Sequence, residues 1–254
     1  MSNAFWKTSL SAVEKNKILI RGYRVQDLME HCTFGDIIYL TFTGELPTGR
    51  EGQIIEMIVV SSTDHSLLAP SIDATRFVAS GGVPLQASVA AGIISLGDHH
   101  GGAIEQCAKL LQESVKAGTA ASAIVSDFRT RKQRLPGFGH PWHDRDPRTL
   151  TLISSAKEWK LAGRHLALAE SISAELQLPI NIDGVISGII SDMGISWQYG
   201  RAFFIIPRAV GLAAHSVEET TRERPFRTID MNDVTYDGPP ERDLPDPFAK
   251  YWIS

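Results

Sequence analysis

Residues 135–148 have the sequence LPGFGHPWHDRDPR. This stretch places His140 on a glycine-rich bend and an Asp-Pro-Arg tripeptide, ending at Arg148, a few residues later. A histidine can exchange a proton near neutral pH, and an arginine carries a fixed positive charge. Both side chains can converge on one anionic substrate, which indicates an active-site loop. A surface turn is the alternative, but proline, several rings and Asp-Pro-Arg together argue against it.

The composition limits the kind of protein that carries this loop. The chain has 254 residues, 43% hydrophobic content and a formal net charge of -4, which is typical of a soluble globular protein. No basic run favours nucleic acid or an anionic membrane surface. Apolar segments are interrupted well before the roughly 20 residues that cross a bilayer. The N-terminus also lacks the layout of a secretory signal, so we expect a cytoplasmic protein.

The two cysteines, Cys32 and Cys107, are far apart and lack metal-ligand spacing. We expect two reduced, partly buried thiols and no metal site.

Hydrophobic periodicity predicts a mostly helical chain. Apolar residues recur at three- and four-residue spacing in segments 25–40, 102–117, 150–161, 164–176 and 203–219, which is typical of helices. No run alternates cleanly enough to predict a sheet. Glycine and proline break the pattern at 44–47, 69–71, 81–84 and 163. Residues 222–254 lack a period and are expected to wrap over a surface or a partner.

A second motif, Gly-Asp-His-His-Gly-Gly-Ala, occupies residues 97–103. Small residues let the backbone pass close to a ligand, and a helix can begin after them. A histidine held there can donate a hydrogen bond to a substrate carbonyl. A polar helix junction, with an adventitious metal contact, is the alternative that this motif alone favours.

Two further motifs carry single charged residues in apolar surroundings. Asp183 lies in Pro-Ile-Asn-Ile-Asp-Gly at residues 179–184, where burial would raise its pKa and suit it to proton transfer at carbon. A helix-capping aspartate is the commoner explanation for such a residue. Arg208 lies in an apolar helix and needs an anion, either a carboxylate ligand or a distant acidic residue of the core. His215 follows on the same segment as a core or surface histidine.

These four motifs, in their order along the chain, resemble the citrate synthase family. Arg21-Gly22-Tyr23, the segment 44–47 and Asp64-His65 also look like family positions, so the resemblance spans nearly the whole chain. It implies an all-α fold in which a small helical domain, residues 104–196, is inserted into a large helical domain, residues 1–103 and 197–254. It also implies a homodimer or higher oligomer that acts on coenzyme A thioesters.

The resemblance assigns catalytic roles to His100, His140 and Asp183. His100 would hold the thioester oxygen and stabilise an enolate, His140 would exchange a proton with the carbonyl or hydroxyl, and Asp183 would exchange a proton with carbon. Two imidazoles and a carboxylate suit enolate chemistry, because oxygen needs donors and carbon needs a base. No metal or redox cofactor is required.

Binding roles follow from the same resemblance. The residues implied to bind the oxo-acid are His65, Arg148 and Arg208, with Arg227 or Arg224 reaching the site of a neighbouring subunit. The residues implied to bind coenzyme A are Pro136, Gly137, Phe138, Gly139 and Arg145.

Two departures from ordinary citrate synthases decide which reaction we predict. The gap from His140 to Arg148 is one residue shorter, and most of the N-terminal helical region is missing. Both features resemble citryl-CoA lyase and the lyase module of ATP citrate lyase. The prediction is a lyase that cleaves citryl-CoA, or a related 3-hydroxyacyl-CoA, into acetyl-CoA and oxaloacetate. A citrate or 2-methylcitrate synthase and a non-catalytic acyl-CoA-binding or regulatory subunit are the alternatives.

Overall fold

The computed structural model describes residues 5–139 and 146–244. Within these ranges the chain is mainly helical, as expected, with a small sheet near the N-terminus. None of the helices in these ranges is long and apolar enough to cross a membrane. The elements are β1 (Ser11–Glu14), β2 (Lys17–Ile20), β3 (Tyr23–Arg24), α1 (Val25–His31), α2 (Phe34–Thr43), α3 (Glu51–Ser62), α4 (Pro70–Ser80), α5 (Leu85–Ile94), α6 (Ala103–Ala117), α7 (Ala121–Thr130), α8 (Pro147–Glu158), α9 (Arg164–Leu176), α10 (Ile182–Asp192) and α11 (Ala202–Arg222).

The sequence analysis missed this sheet. Its three strands are antiparallel in the order β1-β2-β3, with Ser11 opposite Ile20 and Leu19 opposite Arg24. The strands are two to four residues long and largely exposed. Because neither face is deeply buried, the sequence needs no alternation of apolar and polar residues, and the pattern leaves no signal.

The predicted helix over residues 25–40 is two helices separated by Cys32. Cys32 has extended backbone angles, φ -114° and ψ 144°. Thr33 begins α2 with a reciprocal pair of hydrogen bonds, in which its hydroxyl accepts from the Asp36 amide and the Asp36 carboxylate accepts from the Thr33 amide. Such a pair satisfies amides that have no partner within the helix. The breaks predicted at 44–47, 81–84 and 163 lie between helices, and the one at 69–71 includes the first two residues of α4.

Helix α10 lies at the centre of the main core. Its residues 184–191 are buried, and it packs against α6, α8 and α9. A Cβ at Gly188 would lie 3.0 Å from the Leu166 Cα of α9, so glycine allows the two helices to approach closely. The buried position of α10 fixes the place of its first turn, where Asp183 lies.

A second layer is formed by α4, α5 and α11. Within it, Arg76 Nε donates to Glu219 Oε2 at 2.7 Å, and both side chains are buried. Arg227 Nε donates to the same carboxylate at 2.7 Å, and the Phe226 amide donates to the Ser80 carbonyl at 2.8 Å. The C-terminal segment therefore contacts this layer where it leaves α11, while residues 228–244 are exposed.

Candidate active site

The first turns of α4, α6, α8 and α10 border one cleft of about 240 Å³. The cleft also receives side chains from the turn at His65 and from α11. Five residues that the sequence analysis assigned to catalysis or substrate binding therefore lie together. These are His65, His100, Arg148, Asp183 and Arg208.

His100 is presented by a tight loop. The Gly97 and His100 backbones exchange hydrogen bonds of 2.9 and 3.1 Å. Gly101 has φ +83°, and a Cβ there would lie 3.0 Å from the ring of Phe204. Glycine meets both demands, because it alone adopts positive φ without strain and leaves room for the ring. The small residues of this motif thus build the loop and the wall of the cleft.

The hydrogen bonds of His100 define which ring nitrogen carries the proton. Its Nε2 lies 2.9 Å from Ser71 Oγ and 3.4 Å from the Ser71 amide nitrogen in the first turn of α4. An amide only donates, so Nε2 accepts and the proton is assigned to Nδ1. Burial lowers the pKa of His100, and electrostatic interactions with Arg208 and His65 lower it further. The neutral ring therefore offers Nδ1–H as a hydrogen-bond donor.

Asp183 lies in the first turn of α10 without capping it. The cap is Asn181, whose Oδ1 accepts from the Gly184 amide at 3.1 Å, so the alternative of a capping aspartate is wrong. Burial raises the pKa of Asp183 to about 6, although Arg148 and Arg208 act in the opposite direction. The elevation expected from the sequence is confirmed. A carboxyl group that titrates near neutral pH can give or take a proton.

Arg208 is the buried cation of the cleft, with 2% of its surface exposed. Its Nε donates to the Ser62 carbonyl at 3.3 Å, and its guanidinium lies 4.6 Å from the ring centroid of Phe204. Nη1 has no hydrogen-bond partner within the described residues. A buried donor without a partner is costly, so the cleft favours an anionic ligand that accepts from it.

Arg148 also lines the cleft, but Asp146 holds its guanidinium in this conformation. Nη2 lies 2.6 Å from Asp146 Oδ2, and Nε lies 3.0 Å from Oδ1. Nη1 donates to the Ser61 carbonyl of α3 at 3.2 Å. The Asp-Pro-Arg motif therefore contains its own counter-ion, and a ligand carboxylate would compete with Asp146 for the guanidinium.

The glycine-rich loop packs directly on the start of α10. Gly137 has φ +89°, and a Cβ there would lie 2.8 Å from both Cys107 Sγ and Gly184 Cα. A Cβ at Gly184 would lie 2.2 Å from the Gly137 carbonyl oxygen. The two glycines permit a backbone contact that no other residue pair would allow.

Asn181 joins this loop to α10. Its amide nitrogen donates to the Gly137 carbonyl at 3.0 Å, and its Nδ2 donates to the Gly139 carbonyl at 2.9 Å. The loop is therefore fixed to α10, the helix that carries Asp183. This attachment extends as far as Gly139, the residue before His140. His140 and Arg145 themselves lie outside the described residues.

A second cavity of about 650 Å³ lies beside the same loop. Its apolar lining includes Leu135, Phe138 and Leu178, and Arg129 and Arg134 also line it. Of the residues assigned to coenzyme A, Phe138 and Gly139 line this cavity, and Pro136 and Gly137 precede them in the chain. Apolar walls with adjacent guanidinium groups suit a flat ring that carries phosphate.

The two C-terminal arginines are not in the lining of the cleft. Arg227 is held by Glu219, as described above, and Arg224 is exposed. Sequence reasoning missed Ser71 and the joining role of Asn181. A proline followed by serine at a helix start and an asparagine before an apolar helix are the signals for these two residues.

The family described as "Citrate synthase, C-terminal domain" matches residues 1–53 and 49–229. Among solved structures, citryl-CoA lyase from Hydrogenobacter thermophilus is 40% identical, with a TM-score of 0.92, and the match covers 97% of this chain and 100% of that one.

Two curated relatives are longer than this chain. A probable ATP-citrate synthase of Dictyostelium discoideum is 26% identical over 82% of this chain and 37% of its own length. A citrate/2-methylcitrate synthase of Bacillus subtilis is 30% identical over 78% of this chain and 54% of its own length. The chain thus spans only about half or less of these relatives. The family match covers most of the chain and the structural match covers nearly all of it, so this chain is an enzyme of the citrate synthase family.

Proposed function

We propose that the chain cleaves citryl-CoA into acetyl-CoA and oxaloacetate. One observation carries the proposal: a neutral imidazole, a carboxyl group with a pKa of about 6 and a buried guanidinium with an unpartnered donor line the same cleft. These are the groups that an enolate oxygen, an enolate carbon and a substrate carboxylate need. The likeness to a citryl-CoA lyase over 97% of this chain and 100% of that one supports the lyase direction.

The chemistry is a retro-aldol cleavage that needs only side chains and the thioester substrate. His140 takes the proton of the hydroxyl group, and the electrons of the broken carbon–carbon bond move onto the thioester as an enolate. His100 Nδ1–H donates a hydrogen bond to the enolate oxygen, and protonated Asp183 gives its proton to the enolate carbon. The role of His140 is the one that the resemblance to the citrate synthase family implies.

Oxaloacetate binding is assigned to the cationic side of the cleft. Arg208 offers the donor that lacks a partner, and Arg148 and His65 line the same space. A substrate carboxylate that binds the Arg148 guanidinium must displace Asp146 from one edge of that group. Coenzyme A binding is assigned to the loop at residues 136–139 and to the adjoining cavity, with Arg129 and Arg134 placed for its phosphates.

The synthase alternative rests on the relative from Bacillus subtilis. A synthase would also hydrolyse the citryl thioester, which requires a closed site that orients water. The two reactions differ in whether free thiol appears.

A paired assay separates them. Purified protein is given citryl-CoA with malate dehydrogenase and NADH to detect oxaloacetate, and separately acetyl-CoA plus oxaloacetate with a thiol reagent. Oxaloacetate without free thiol is the expected result. Free thiol in the second assay would make the chain a synthase, and silence of the wild type in both would overturn the proposal.

We also propose a homodimer that buries the outer face of α11. A hollow of about 870 Å³ lies there between α11 and the start of α5. Leu85, Val210 and Val217 line it and are 47%, 62% and 50% exposed, and contiguous apolar surface of this kind marks protein contacts. Light scattering after size exclusion tests the proposal, because Val217→Glu should convert a dimer to a monomer.

A further inference from the structure

His215 lies on α11 seven residues after Arg208, with Gly211 between them. Residues at spacings of three, four and seven share one face of a helix. This face packs against residues 62–65, the segment that delivers His65 to the cleft.

Contacts at successive turns of α11 hold this segment. Arg208 bonds to its first residue, as described above. A Cβ at Gly211 would lie 2.3 Å from the Thr63 carbonyl oxygen, so the backbones touch there. His215 Nε2 lies 3.1 Å from Asp64 Oδ1. The segment and α11 are thereby held in one register.

Asp64 in turn shapes the backbone around His65. Its carboxylate accepts from the Ser66 amide at 3.2 Å and from the His65 amide. Ser66 has φ +58°, which a non-glycine residue adopts only when its surroundings hold it. Although burial acts to raise it, the pKa of Asp64 lies below its ordinary value because these amides and His215 stabilise the carboxylate.

The orientation of the His215 ring is fixed by contacts at its other nitrogen, Nδ1. Its Nδ1 lies 3.4 Å from Arg76 Nη1 and 3.6 Å from Glu218 Oε2. A guanidinium only donates, so Nδ1 accepts from Arg76 and Nε2–H donates to Asp64. Arg76 is anchored by Glu219, as described above, and by Glu218 at 3.0 Å. Contacts therefore connect the buried Arg76–Glu219 ion pair, through His215, to Asp64 at the turn that carries His65.

We propose that His215 is a positioning residue, which acts through Asp64 to hold the turn of His65 in register with Arg208 so that both side chains meet the same carboxylate ligand. The inference rests on the proposed function. It adds a residue that lies outside the lining of the cleft and does not touch the reacting atoms.

Two substitutions at His215 and one matched control test the inference. His215→Ala should raise KM for citryl-CoA and the inhibition constant of oxaloacetate about tenfold, which corresponds to 1.4 kcal/mol. The dissociation constant of coenzyme A should change less than twofold, because its loop is held by Asn181 and the start of α10. His215→Gln should restore most of the loss, because its amide can donate to Asp64 and accept from Arg76.

His165→Ala is the control for general destabilisation. His165 is also half-buried and bonded to an aspartate, with Nδ1 2.8 Å from Asp192 Oδ1, but it lies at the start of α9 away from the cleft. Its loss should lower stability and leave the inhibition constant of oxaloacetate unchanged. Equal effects of His165→Ala and His215→Ala on that constant would overturn the inference, as would no effect of His215→Ala.

A readout that is independent of turnover separates this inference from the proposed function. The ring nitrogen resonances of His65 should shift in His215→Ala and return toward their wild-type positions in His215→Gln. Wild-type protein that cleaves no citryl-CoA would refute the function alone. Unchanged His65 resonances in His215→Ala would refute the inference, whatever the activity.

Discussion

Replacing Asp183 with asparagine should abolish turnover and stabilise the folded chain at neutral pH. The side chain keeps its size but loses its titratable proton. Burial raises the pKa of Asp183 from 3.8 to about 6, so the folded state disfavours the ionised carboxylate more than the unfolded state does. Asparagine carries no charge and escapes this penalty.

The size of the effect follows from the pKa difference. A carboxyl group with a raised pKa in the folded state loses stabilisation as pH rises from 3.8 to about 6. Ionisation of Asp183 therefore lowers the free energy of unfolding by about 3 kcal/mol at pH 8, where the full penalty applies, and by about 1 kcal/mol at pH 4.5. The stability advantage of Asp183→Asn should therefore grow by about 2 kcal/mol between the two pH values.

Urea unfolding followed by circular dichroism, at fixed protein concentration and at pH 4.5 and 8, measures this difference. Asp192→Asn is the control, for which we expect a change in stability of the opposite sign. Asp192 accepts from the amides of Gly163, His165 and Leu166, so its replacement should destabilise the chain at both pH values. An advantage of Asp183→Asn that does not change with pH, or a loss of stability at pH 8, would refute the reasoning.

Three further predictions concern the cleft. Ser71→Ala removes the hydroxyl 2.9 Å from His100 Nε2 and should lower kcat for citryl-CoA about tenfold, while coenzyme A affinity measured by calorimetry stays the same; an unchanged kcat would contradict it. Gly184→Ala places a Cβ 2.2 Å from the Gly137 carbonyl oxygen and should lower stability by about 1–3 kcal/mol, and an unchanged melting temperature would exclude that contact. Cleavage needs protonated Asp183, so kcat should fall as pH rises through about 6, whereas condensation of acetyl-CoA and oxaloacetate should rise there; the same pH dependence in both directions would rule out this carboxyl group as the proton donor.

The helices could be predicted from the sequence where one face is buried throughout. Segments 102–117 and 164–176 correspond closely to α6 and α9, because their apolar positions keep the helical period. The break at Cys32 could not be seen, because the apolar period continues through it and only the paired bonds of Thr33 and Asp36 mark the new start. The N-terminal sheet is invisible for the opposite reason, since its strands are short and exposed.

The candidate site could be predicted residue by residue but not as a set of contacts. His100, Asp183 and Arg208 stand out because polar or charged residues in apolar or glycine-rich surroundings are unusual. Their partners do not stand out. Ser71 lies 29 residues from His100 and Ser62 lies 146 residues from Arg208. No local pattern connects such pairs, so only the packing of the helices reveals them.

The net charge of -4 describes the whole chain and gives no indication of the charge in the cleft. Four helices begin at its edge, and the N-terminal end of a helix carries a partial positive charge. Arg148 and Arg208 add two full positive charges. These surroundings alone would keep Asp183 ionised, yet its pKa is raised, so burial outweighs them. The same cleft can therefore attract an anionic substrate and still hold a proton for carbon. A carboxylate bound to Arg208 would neutralise one of the charges that oppose protonation, so binding of oxaloacetate should raise the pKa of Asp183 further.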